Sequence, residues 1–485
     1  MTFSKPYSRL IIILLILFLG FDLISSAYHY YHLSFDGDLT KIGTPILWYE
    51  NVMNDPFGIN AVTTKIEYGG AGRYFCHQYT VWWCKYGFKL VHSFIKDPVV
   101  SVYLMASLFA MLVHVMFLGI SYVYIRLIRP MNGLLALCCL CICTLFIQYG
   151  KYYHSIGIID RSTSYIFFYA FPLLIFALYA FPFFRAYQTA NYKLPSWIHL
   201  MLIPLTFIVS FSCALIQPIV FIIAILSFLF YMYLPKDSRW NQFLKSNHIR
   251  FHFFLLLAVS LYAFYVTQFN VEKTHINTLA DRYFLLIKGI YYLFFYDTAL
   301  IYMGIWIGIN LFILNKMNDT SFKFYRNQLG LILLFSILYV GLLPFGGYRT
   351  YRPYIVRYDT FMPVTFALIY FIGITTIHIL ALNINKYSKV YIGILVLFIG
   401  IFTWVDRDLE TNHNKDQKEV LYILHQSTDT LINMPRHCNV GTWSTTDYDD
   451  EQIMVMLNKI FIQWEIIKPY QSVYVKALNP AIKNE

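Results

Sequence analysis

Charge is what this chain has least of. Only 13% of its 485 residues are Asp, Glu, Lys or Arg, where a soluble domain carries about a quarter. Glycine-rich loops of the P-loop or Rossmann type are also missing, as are the HExxH pair and the nucleophile elbow. These absences exclude cytosolic nucleotide chemistry and the familiar hydrolase signatures. Low-complexity tracts, charged tails and repeats at a fixed period are absent too, which removes solenoids and disordered scaffolds. The net charge of +11 does not point to nucleic acid. Lys and Arg fall mainly in short connections between apolar runs, as the positive-inside pattern requires of cytoplasmic loops.

What is abundant is apolar and aromatic. Hydrophobic residues make up 58% and aromatics 19%, with 42 Tyr and 43 Phe. The mean hydropathy is +0.54. Runs long enough to cross about 30 Å of hydrocarbon recur along the chain, and many Tyr sit at their ends, where an amphipathic ring suits the headgroup layer. Of the eight Cys, Cys138, Cys139, Cys141 and Cys143 lie in one apolar run and read as packing residues. Cys76 and Cys84 lie in an extramembrane loop and are candidates for a disulfide if that loop faces an oxidising compartment.

Lys5 and Arg9 precede the first apolar run, which reads as a retained helix and not a cleaved signal, because it is long and contains Asp22. Placing these cations inside puts residues 28–98 outside, a long loop with six acidic and six basic residues. Further spans are expected at about 99–125, 131–147 and 162–184. The stretch 197–234, 38 residues, would reach about 57 Å as one helix, so it is expected to be two short helices joined near 212–218, with Pro218 disfavouring helix at Gln217. Spans at about 251–269, 298–314, 329–343, 360–382 and 390–405 follow, and residues 281–296 read as an amphipathic stretch in the interface plane.

The expected architecture is therefore all-α and polytopic, with about eleven transmembrane helices over residues 1–405. The N-terminus is inside. Residues 406–485 form a small α/β outer domain, with a helix around Val420, Leu421, Leu424 and Leu431, a second from Asp447 through Trp464, and a strand near 472–477. About 80 residues is marginal for an independent fold, so this part is expected to rest on the membrane part. The large polar elements all fall on one side, as an enzyme working at the outer membrane face would need.

Three constellations carry chemistry. Asp36-Gly37-Asp38 places two carboxylates at the membrane edge, with a glycine that lets the backbone bend so both face one point. Such a pair can hold a divalent cation, Mg or Mn, or one member can act as a general base; a plain turn or helix cap is the bland alternative, with Asp38 a cap that would leave Asp36 facing the pocket. Arg349, Arg352 and Arg357, interleaved with Tyr348, Tyr351, Tyr354 and Tyr358, form an outer loop. Cations outside ask for an anionic partner, and the planar guanidinium fork suits phosphate. Lys151, His154, Asp160 and Arg161 make a third polar loop. Glu50, Asp55, Glu67, Arg73 and His77 are scattered in the first loop with Trp48, Trp82 and Trp83.

An acidic pair in a long loop after helix one, with Arg357-Tyr358 and Pro363 at the outer start of a late helix, resembles the GT-C class of membrane glycosyltransferases. The usual spacing there is Arg-Tyr-x-x-Pro; here two further residues precede Pro363. The resemblance implies inverting transfer of a sugar from a polyprenyl-phosphate donor at the outer face of the cytoplasmic membrane. It implies Asp36 or Asp38 as base or metal ligand, and Arg349, Arg352, Arg357 and Tyr358 as donor-phosphate contacts. Glu50, His154, Asp160 and Arg161 are further candidate substrate contacts. The expected partners are a lipid-linked sugar and membrane lipids, with no nucleic acid. The alternatives are a transporter or flippase of a lipid-linked glycan, or a non-enzymatic assembly protein.

Overall fold

The computed structural model describes residues 5–45, 49–148, 156–272, 278–296, 298–347, 352, 354–382, 388–405 and 412–475. Among these, eight helices are long and apolar enough to cross a membrane: Arg9–Tyr31, Pro98–Ile128, Thr163–Thr189, Ile216–Tyr233, Asn247–Phe269, Ala299–Lys316, Phe322–Gly346 and Tyr358–Ala381. Two shorter apolar helices, Gly133–Thr144 and Ser196–Ser210, lie between them, and a third, Lys389–Trp404, follows the last. A helix satisfies its own backbone hydrogen bonds, which hydrocarbon cannot do for it. The chain is an all-α polytopic membrane protein.

The first helix presents Leu10, Leu14, Leu17, Phe21 and Ile24 outward. Its other face packs on Pro98–Ile128 and Gly133–Thr144, where buried Asp22 accepts a hydrogen bond from the Thr144 hydroxyl at 2.6 Å. The 197–234 segment breaks as expected, between Ser210 and Ile216, but not for the expected reason. Gln217 is helical, and Pro218 sits in the first turn of Ile216–Tyr233, where a missing N–H costs nothing. The Gln217 amide then donates to the Ser210 carbonyl at 3.1 Å and ties the two short helices together. Leu279–Phe295 is an amphipathic helix opened by a Thr278/Asp281 capping box.

Residues 37–45 and 49–72 form short helices and turns, and 74–95 is one continuous helical run with a π-helical stretch at Trp83–Gly87. They and the C-terminal segment share one core: Phe35, Leu39, Cys84, Phe88 and Tyr103 pack with Val420, Leu424, Leu457, Phe461 and Trp464. The Trp464 indole donates to the Cys84 carbonyl at 3.1 Å, and Gln417 bonds both the Phe35 N–H, at 2.7 Å, and its carbonyl, at 3.0 Å. The C-terminal segment thus borrows its core from the membrane part. It holds helices Lys415–Gln426 and Glu451–Gln463, and the parallel strands β1 (Leu431–Asn433) and β2 (Ser472–Tyr474). Leu431 belongs to β1 and is exposed, so it is not part of the first helix's apolar stripe. Cys76 and Cys84 do not pair: both are free and buried, each in a different core cluster.

Candidate functional site

The polar segments on either side of the first helices converge at one end of the bundle. Asp36 is the hub. Its Oδ1 accepts from the backbone N–H of Asp38 and of Leu39, both at 3.0 Å, and so caps helix Gly37–Gly43. Its Oδ2 accepts from the Ser162 hydroxyl and the Ser164 N–H, both at 2.9 Å. One carboxylate therefore ties the first loop to the start of the Thr163–Thr189 helix. All four of its acceptor positions are filled by donors.

The sequence leaves open which of the two carboxylates caps the helix; in the structure it is Asp36. Asp38 is the carboxylate that lines a pocket. It is half-buried, and its Oδ1 accepts from the Trp443 indole N–H of the C-terminal segment at 3.1 Å. Burial and the neighbouring Asp36 push its carboxyl up to about 6, against the pull of the Trp443 hydrogen bond. Gly37 between them serves close approach and not backbone bending: a Cβ there would overlap the backbone of Thr442 and Trp443. Gly37→Ala is expected to loosen the 412–475 segment, read as faster limited proteolysis after residue 405 and a lower Tm, at a cost of about 1–3 kcal/mol. An unchanged cleavage rate would show that this contact does not hold the segment.

The Asp38 pocket is small, about 30 Å³, and includes Arg73, His77, Tyr165, Glu272 and Arg352. Next to it lies a cavity of about 320 Å³. The two share Arg73, Phe168, Tyr169, Glu272 and Arg352. The larger one is mainly apolar, with Phe221, Phe264, Leu342, Leu343 and Phe345 in its walls. Its cationic residues are Arg73, Arg352 and Arg357.

Arg352 donates to the Tyr165 hydroxyl at 3.5 Å. Arg357 stands at the start of helix Tyr358–Ala381 and forms an ion pair with fully buried Asp359. That pairing explains how a cation is tolerated there, since a buried charge needs a partner. Tyr358 is the first residue of that helix and half-buried. Asp160 is buried, and its Oδ1 accepts the Ser162 N–H at 2.7 Å. Burial pushes its carboxyl up to about 7, against hydrogen bonds from Ser162 and Tyr358. It backs the Asp36 hub and lines neither cavity. Arg161 is half-buried beside it. Glu50 is exposed at the start of helix Glu50–Asn54 and lines neither cavity. His154 and Arg349 lie outside the described residues.

Glu272 is the member of the site that sequence reading missed. It accepts the Tyr49 hydroxyl at 2.8 Å and pairs with Arg73 at 3.7 Å. Asn270 anchors it, its Oδ1 accepting from the Gly70 N–H at 3.2 Å and the Glu272 N–H at 3.1 Å. Arg73 and His77 were visible only as scattered polar residues of the first loop. A divalent cation shared by Asp36 and Asp38 does not fit this donor set, because the Asp36 oxygens already face four donors. Among the described residues no group of three or more His, Cys, Asp or Glu is arranged to hold a metal ion.

Compared with known proteins, the chain matches no family model and none of the curated sequences.

Proposed function

We propose that this protein transfers a sugar from a polyprenyl-phosphate donor to an acceptor, with inversion, at the outer face of the cytoplasmic membrane. In this reading all eleven apolar helices cross the bilayer, the N-terminus is cytoplasmic, and the converging polar end with residues 412–475 is extracytoplasmic. One observation supports the proposal: a mainly apolar cavity with arginines shares five lining residues with a small pocket where Asp38, a carboxyl with a raised pKa, lies beside Glu272.

The chemistry follows from that contiguity. The lipid tail suits the apolar walls, and about 320 Å³ is within the range of small-molecule sites. Arg73, Arg352 and Arg357 meet the phosphate, with guanidinium forks matched to its oxygens. The acceptor hydroxyl lies against Asp38. Its proton passes to the Asp38 carboxylate as its oxygen attacks the anomeric carbon from the face opposite the phosphate. The bond from that carbon to the phosphate oxygen breaks, and the electron pair leaves with the phosphate, where the arginines stabilise the developing charge. Such a donor brings its own leaving group, which accords with a chain that has no nucleotide motif.

The test is release of polyprenyl phosphate from a panel of polyprenyl-phosphate sugars by the purified protein, followed by mass spectrometry. Transfer to water gives a signal even before the acceptor is known. The base must be ionised, so kcat/KM should rise with pH and reach half its plateau near 6, where Asp38 titrates. No release from any donor in the panel overturns the reading. Movement of intact lipid between vesicle leaflets without cleavage would select a transporter instead.

A further inference from the structure

His77 has no role in the account so far, yet it lines the same pocket as Asp38. Its ring is 1% exposed and wedged between Tyr49 and Phe168, with centroids at 4.8 and 5.0 Å. Nε2 lies against Gly70, where an added Cβ would strike it. Nδ1 is buried with no hydrogen-bond partner among the described residues. An unmet polar atom of this kind costs about 1–3 kcal/mol. A fold that needed only an aromatic or aliphatic wedge here would be better served by Phe or Leu.

The pocket volume narrows what can meet that nitrogen. About 30 Å³ is room for a few water-sized groups. It is about a tenth of the adjoining cavity, so it suits a hydroxyl-bearing edge of the acceptor and not the lipid. Asp38 accepts one hydrogen bond from such a group, which leaves the hydroxyl oxygen in need of a donor. Burial and the Arg73 charge hold His77 far below its ordinary titration range, at about 3, despite the opposing Glu272, so the ring is neutral and carries a single N–H.

We infer that His77 is a second substrate contact, donating from Nδ1 to the hydroxyl whose proton Asp38 removes. This rests on the glycosyl-transfer reading. The geometry also explains why residue 70 is glycine: its φ of 76° is in the left-handed region that glycine tolerates, and a side chain there would displace the imidazole.

The experiment compares His77→Leu with His77→Asn, whose side-chain amide can reach the Nδ1 position. In the donor-cleavage assay His77→Leu should lower kcat by roughly 10²-fold, and His77→Asn should recover at least a tenth of wild-type kcat. Both variants should keep the half-plateau near pH 6, since that belongs to Asp38. Equal activity in the two variants overturns the contact. A second readout needs no activity. The Tm of His77→Leu should equal or exceed that of the wild type, because the fold itself leaves Nδ1 unmet. A lower Tm for Leu, restored by Asn, would make His77 a structural hydrogen-bonding residue and overturn the inference. Failure of the wild type to cleave any donor would sink the transferase reading and leave this stability comparison to decide on His77.

Discussion

Asp38→Asn is expected to lower kcat by about 10³-fold, within the span general bases contribute, while the protein stays folded. The amide keeps an oxygen in place of Oδ1, so the Trp443 indole retains its acceptor. It cannot take a proton from the substrate, and the rise in activity through pH 6 should vanish with it. Stability should move the other way. The Asp38 pKa is raised by folding, from an ordinary 3.8 to about 6. The folded state therefore binds the proton more tightly than the unfolded chain does. Between these values stability falls as pH rises, and the cost is complete above pH 6. Replacing the carboxylate with a neutral amide removes that cost. Thermal unfolding at pH 7.5 should give a Tm for Asp38→Asn equal to or above the wild type, with the difference fading below pH 4. A variant that is inactive and markedly less stable would show Asp38 to be structural, and the base would have to be sought elsewhere.

Much of the membrane part was legible because hydropathy and length are local properties. Each apolar helix falls on a run that can be read directly, including the divided segment before Leu234, where length alone demanded two helices. The details were less legible where one residue has two uses. Pro218 disfavours helix at the residue before it, yet a proline in a helix's first turn is compatible with its start, and that is where Pro218 sits. Leu431 was assigned to a helix by spacing, yet lies on a strand whose partner, Ser472–Tyr474, is some forty residues downstream, beyond the reach of a periodicity argument.

The site was half legible for the same reason. Charge type and topology brought Asp38, Arg352 and Arg357 to one end of the molecule, and the structure places all three on the two adjoining pockets. Glu272 was invisible because its contacts are long-range: it meets Tyr49 from 223 positions away. His77 was visible as a residue but not as a site, since its meaning depends on Gly70 and Phe168 closing around it. The Asp36-Gly37-Asp38 stretch could not be divided by composition. What divides it is cap geometry, because an extended residue before a helix aims its side chain back at the N–H groups two and three positions on. Asp36 has that backbone, with φ of −82° and ψ of 163°.

That division makes the second large effect a structural one. Asp36→Ala is expected to cost about 2–4 kcal/mol, the sum of a lost helix cap and the unmet N–H groups it leaves. Two of the four donors, the N–H groups of Leu39 and Ser164, are on buried residues. Asp36→Asn should recover only part, because its NH₂ would face donors where an oxygen is required. Activity should fall in both variants in step with Tm, since the link from helix Gly37–Gly43 to Ser162 and Ser164 sets where Asp38 sits. Two adjacent carboxylates thus give opposite signatures: one inactive and stable when neutralised, the other unstable first and inactive in consequence. Thermal unfolding of Asp36→Ala beside the wild type in detergent reads this directly. A Tm equal to the wild type would mean the four hydrogen bonds do not hold the loop, and would return Asp36 to the list of chemical groups.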